Sequence, residues 1–224
     1  MMRSIAPGFA VAIGLVLQLI SSPSIAADSS ARIYHQEVKL HPLGEHHESA
    51  KKLQTVKGAQ AILVITSEGA FVSLSTRQLT PGNVYSAWIG IFNKPENCKA
   101  SPCNIEDFTA RNAMTQSDMG YVDGSIAAAD GTAHFLAYIP KGQLKQNWYG
   151  TGFQNLKTGE IHLAVHDHGS PLPGLTRMMM ESYRGGCKTE SLFKGFPESS
   201  KSDGQPGPND CNLLQIVFFV RHPE

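Results

Sequence analysis

The sequence predicts an all-β protein, an antiparallel two-sheet β-sandwich of immunoglobulin-like or jelly-roll-like kind, with one or two short helices and two disulfides. Three observations predict it. Short segments rich in β-branched and aromatic residues alternate with turn signals. Hardly any stretch sustains a helical period. Four cysteines fall into two local groups in a chain that opens like an exported protein.

The opening is MMRSIAPGFAVAIGLVLQLISSPSIA: one positive charge at Arg3, an apolar run from Ile5 to Ile20, then small residues with Ser24 and Ala26 placed for cleavage. This reads as a signal peptide over residues 1–26. As a membrane anchor the run is short, and Pro7, Gly8, Gly14 and Gln18 interrupt it. Residues 27–57 read as an N-terminal segment, partly extended, and residues 58–224 as the sandwich domain. The expected location is periplasmic or extracellular, with no membrane span after the signal is removed. The last apolar run, LLQIVFFV, has only the length of a strand.

Nineteen basic residues balance nineteen acidic ones, and removing the leader takes only Arg3 away. No basic field for nucleic acid or anionic lipid is left. The remaining chain lies within the size range of one domain and can bury a core without staples.

Candidate strands cover residues 32–40, 59–66, 70–76, 84–93, 120–128, 132–139, 160–167 and 211–221. The separators include SEG at 67–69, TPGN at 80–83, ADG at 129–131 and KTG at 157–159, residue types that supply turn geometry. Two pieces suit short helices. LTRMMMESY at 175–183 is stopped by Gly185 and Gly186, and the other piece, 105–112, follows the first cysteine pair. Met178, Met179 and Met180 point in different directions on a helix, so they read as gap-filling core and not as a soft metal surface.

Cys98 and Cys103 lie within CKASPC, whereas Cys187 and Cys211 flank a loop rich in Gly, Pro and Ser. Four cysteines allow three connectivities. Pairing Cys98 with Cys103 and Cys187 with Cys211 is favoured because each pair closes one plausible loop, the second pinning an aperiodic segment. The C-x-x-C spacing of zinc ribbons is absent.

The densest chemistry is EIHLAVHDHG at 160–169. In an extended strand His162, Ala164, His166 and His168 share one face, while Ile161, Leu163, Val165 and Asp167 share the other. The apolar face belongs to the core, which leaves the histidines on a solvent or groove side. His166 and His168 are about 7 Å apart by strand rise, suited to two imidazoles converging on one copper or zinc ion, whereas His162 is about 13 Å from His166. Such a half-site needs further ligands, from His162, His134, His46 or His47 in the first instance, with His35, His41, His222, Glu45 and Glu48 also in the chain. The competing reading makes all of them ordinary polar positions on solvated strand faces.

No HEXXH, no G-x-S-x-G elbow and no phosphate loop is present, so no catalytic residue is assigned. Tyr85, Trp88 and Phe92 read as core. Trp148 and Tyr149 sit in a looser stretch, NWYGTGF, where core packing competes with a recognition surface.

Taken together, LTPGNVYSAWIGIFNKPENC, VDGSIAAADGTAHFLAYIP and GEIHLAVHDHGSPLPG resemble a family of exported prokaryotic proteins that carry L-x-P-G-x-x-Y-x-x-W, F-N-x-P-x-x-C and E-I-H-L followed by H-G. The resemblance covers most of the chain beyond the leader and implies a secreted β-sandwich without an established activity. His166 and His168 alone are also similar to the copper-binding strand of copper/zinc superoxide dismutases, but the motif order and flanking loops depart from that family. The expected function is an exported, non-enzymatic binding or structural module whose ligand, protein or small molecule, is unknown. The alternative is a copper or zinc protein or metalloenzyme built on His166 and His168.

Overall fold

The computed structural model describes residues 31–41 and 53–220. Eight strands form: β1 (Arg32–Leu40), β2 (Thr55–Ile65), β3 (Gly69–Thr76), β4 (Val84–Phe92), β5 (Ser117–Ile126), β6 (Ala133–Pro140), β7 (Glu160–Asp167) and β8 (Asn212–Phe219). Each coincides, within a few residues, with a segment that alternation and turn chemistry predict. Four short helices lie between them: α1 (Ile105–Phe108), α2 (Asn112–Thr115), α3 (Thr176–Glu181) and α4 (Ser199–Ser202).

The pairing of the strands overturns the two-sheet sandwich. All eight belong to one antiparallel sheet in the order β5-β4-β7-β8-β1-β2-β3-β6. That sheet curls into a nearly closed barrel. Its two ends meet where the backbone N–H of Leu136 on β6 donates to the Asp123 carboxylate on β5 at 3.0 Å. A barrel and a sandwich both bury alternate side chains, so the period of two fits either. What separates them is the placement of β8 between β7 and β1, a short join on the β1 side with Lys39↔Ile216 and Leu40↔Gln215 in register and the His41 N–H bonded to the Leu214 carbonyl. Register shifts at Glu37/Lys39, Ala87/Trp88 and Val165/His166 supply the local bends that let one sheet coil.

The barrel interior takes one face of every strand, including Val38, Leu63, Val72, Ile89, Val122, Phe135, Leu163 and Val217. On one side the barrel wall is buried on its outer face as well, and every residue of β4 is buried. A second apolar layer of Trp88, Phe92, Phe108, Met119, Trp148, Tyr183 and Leu192 packs there, and Cys103, Cys187 and Cys211 belong to it. This cover consists of α1, α2, the segment around Trp148, and the long segment between β7 and β8. Both disulfides form with the expected pairing, Cys98–Cys103 and Cys187–Cys211. Trp148 is buried and stacks among aromatics, so the core reading of NWYGTGF holds for it. Met179 is fully buried, as gap-filling use requires.

Candidate functional site

β7 alternates as its sequence predicts. Ile161, Leu163 and Val165 enter the barrel core. The opposite face carries Glu160, His162, Ala164 and His166, but it does not meet solvent. Glu160, His162 and His166 are all buried, and so is His168 just beyond the strand. The cover layer encloses this face, which no local pattern announces because the covering residues come from distant loops.

Between wall and cover lies a cavity of about 290 Å³. His162, Ala164 and His166 form its floor with Gly90 of β4, and Phe92, Phe108, Phe193, Phe196, Met119 and Tyr183 are among the residues that line it. Gly90 pairs directly with His162 across the ladder. Its missing side chain keeps that part of the floor low.

The two histidines of the cavity floor are held differently. His162 Nε2 lies 2.6 Å from Glu160 Oε1, and the same oxygen accepts the backbone N–H of Cys103 at 2.6 Å. The Cys98–Cys103 loop thus lands on Glu160, and Glu160 orients His162. A carboxylate only accepts, so a hydrogen belongs on Nε2, and in the neutral ring Nδ1 is then the acceptor. Phe92 and Phe218 clamp the ring, with centroids at 5.0 Å and 4.7 Å.

His166 stacks on Tyr183, with centroids 4.3 Å apart and planes 6° from parallel. Its Nδ1 is buried with no hydrogen-bond partner among the described residues. Burial, reinforced by neighbouring His168, lowers its pKa well below the ordinary imidazole value and keeps it neutral. Burial likewise pushes the Tyr183 phenol up.

His168 has a structural role. Its Nδ1 bonds the Gly185 carbonyl at 2.8 Å and its Nε2 bonds Ser86 Oγ at 2.7 Å, while Ser86 Oγ accepts Trp88 Nε1–H at 2.8 Å. Burial lowers its pKa to about 4, partly offset by the Gly185 carbonyl. The neutral ring therefore ties the cover to the wall, donating to Gly185 and accepting from Ser86.

His166 and His168 do come together, with ring centroids 4.7 Å apart. With Cys187 they offer three donor atoms within 4.8 Å of one another. Yet Cys187 is spent in the disulfide with Cys211, and both nitrogens of His168 are already bonded. Among the described residues, the proposed partners do not assemble around the pair. His162 is tied to Glu160, His134 is exposed on β6 and bonds Ser75 Oγ at 2.9 Å, and His46 and His47 lie outside the described residues, as does His222. His35 is exposed beside Gln60, whereas His41 does reach the cavity wall.

Sequence reasoning missed Glu160, although its position two residues before His162 puts both on one strand face. It also missed Tyr183 and Phe196, for which only the tertiary fold supplies a signal. No family model, no curated protein and no solved structure matches the chain.

Proposed function

We propose that the protein is an exported binding module that encloses a small, mainly apolar molecule between the β4–β7–β8 wall and its disulfide-stapled cover. The observation that carries this is the cavity itself, about 290 Å³, walled by aromatic side chains and floored by two oriented imidazoles. Concave, largely apolar sites with a few convergent polar groups are the usual form of small-molecule sites. An engineered apolar cavity of about 150 Å³ accepts benzene, so this one has room for one or two fused rings. Two disulfides suit an oxidising compartment, and the leader-like N-terminus suits export.

The test is thermal denaturation of the purified protein with naphthalene at increasing concentration. Binding to the native state alone raises Tm with ligand concentration. Ala164→Leu, which fills the cavity floor, should abolish the rise. A Tm unchanged by naphthalene and by other one- and two-ring probes in the wild type would sink the reading.

A second reading has one observation in its favour, the approach of His166, His168 and Cys187 donor atoms within 4.8 Å. It describes a copper or zinc site only where the Cys187–Cys211 disulfide is open, because the thiolate is the ligand.

A further inference from the structure

We infer that the occupant of this cavity is an uncharged aromatic molecule carrying a hydrogen-bond donor, of phenol type, whose hydroxyl is accepted by His162 Nδ1. This rests on the binding reading above and narrows it to a chemical class.

Four features of the site argue for it. Among the described residues the cavity wall holds neither Lys nor Arg, so an anionic ligand would lose its hydration with no cation from these residues to meet it. Behind the floor the Glu160 carboxylate already accepts from Cys103 N and His162 Nε2, which makes a second negative charge nearby unfavourable. Because Glu160 holds a hydrogen on Nε2, the neutral His162 ring presents a lone pair on Nδ1, and a lone pair selects a donor. Aromatic walls select the body: Phe92, Phe108 and Phe196 stack edge-to-face in one cluster that a planar ring extends. Glu160 is a positioning residue, since it acts on the ligand only through the tautomer of His162.

The experiment compares the affinities of 2-naphthol, naphthalene and 2-naphthoate for the full chain with its disulfides intact. One neutral hydrogen bond corresponds to a preference of about fivefold to tenfold for 2-naphthol over naphthalene, and naphthoate should bind more weakly than both. His162→Leu removes the imidazole acceptor with little change in volume, and Glu160 keeps the Cys103 N–H. This variant should erase the naphthol preference, read as the ratio of naphthol to naphthalene affinity within the same variant. Glu160→Gln, which leaves an oxygen for Cys103 N, should reduce the preference without abolishing naphthalene binding. Equal binding of naphthol and naphthalene by the wild type, tightest binding of naphthoate, or a naphthol preference that survives His162→Leu would each overturn the inference while leaving the cavity reading intact. Failure of all three probes to bind overturns both.

Discussion

Tyr183 lies flat on His166 at 4.3 Å, and both rings are buried where the cover meets β7. Stacking a phenol on an imidazole in a dry site favours the neutral ring, and His168 at its edge disfavours a second positive charge nearby. The contact that seals the cavity therefore depends on protonation state.

Acid should loosen this seam before it touches the rest of the fold. An unfolded histidine takes up a proton near pH 6.5, whereas folded His168 does so only at about 4. The unfolded chain binds more protons in that window, so stability is full above pH 6.5 and declines as pH falls toward 4. His168 contributes about 3 kcal/mol of this decline, and His166 adds in the same direction. Urea midpoints at pH 7.5, 5.5 and 4.5 should fall steeply. In a His168→Gln variant the same series should be flatter, and an unchanged slope would remove His168 as the cause.

Asp203 works in the opposite sense. Burial raises its carboxyl from 3.8 to about 6, and Arg184 with nearby backbone N–H groups offsets only part of the cost. A raised carboxyl favours folding below the unfolded value and loses that contribution as pH rises from about 4 through 6. Its charge at neutral pH therefore destabilises, by about 1 kcal/mol once solvent screening of this partly open group is allowed for. Asp203→Asn should be more stable than the wild type at pH 7.5 by that amount. At pH 3.5 the two should unfold at the same urea concentration, and a stabilisation that persists there would assign the effect to packing instead of charge.

Asp118 is the pin of the cover. It is fully buried on β5, and its two oxygens accept the backbone N–H groups of Met119, Trp148, Tyr149 and Gly152 at 2.7–3.1 Å. Those bonds fold NWYGTG over the wall and set Trp148 against Tyr183 and Phe196. Asp118→Ala strands several buried donors together, a loss of about 3–5 kcal/mol. Tryptophan emission should shift to the red as Trp148 gains solvent, and naphthalene should no longer raise Tm. Native emission and an unchanged urea midpoint in the variant would show that the loop is held by packing alone.

The strands were legible because their code is local. Ile161, Leu163 and Val165 alternate with histidines, and the SEG, TPGN, ADG and KTG turns mark where runs end. Their closure into one barrel was not legible, because it depends on β8 pairing with β7 on one side and β1, far earlier in the chain, on the other. The same limit explains the site. His166 and His168 share a face by strand geometry, but their burial comes from Tyr183, Gly185 and Ser86, residues that the chain brings there only when folded. Both disulfides were legible, since each closes a loop within its own neighbourhood.

The Cys187–Cys211 disulfide decides between cavity and metal chemistry. It spans a sequence separation of 24, and closing a loop of that size stabilises by about 3 kcal/mol in the chain-entropy account. Cys211 also lines the cavity, so opening the bond should weaken naphthalene binding as the cover relaxes. It would at the same time free Cys187, whose sulfur lies 3.4 Å from His168 Nδ1. Purified with its disulfides intact, the protein should hold well under one equivalent of zinc or copper by elemental analysis. Cys211→Ser, which releases the Cys187 thiol, should take up zinc that His166→Ala removes. Stoichiometric metal in the oxidised protein would mean that His166 and His168 bind without the thiolate. Their present bonds to the fold would then have to yield to the ion.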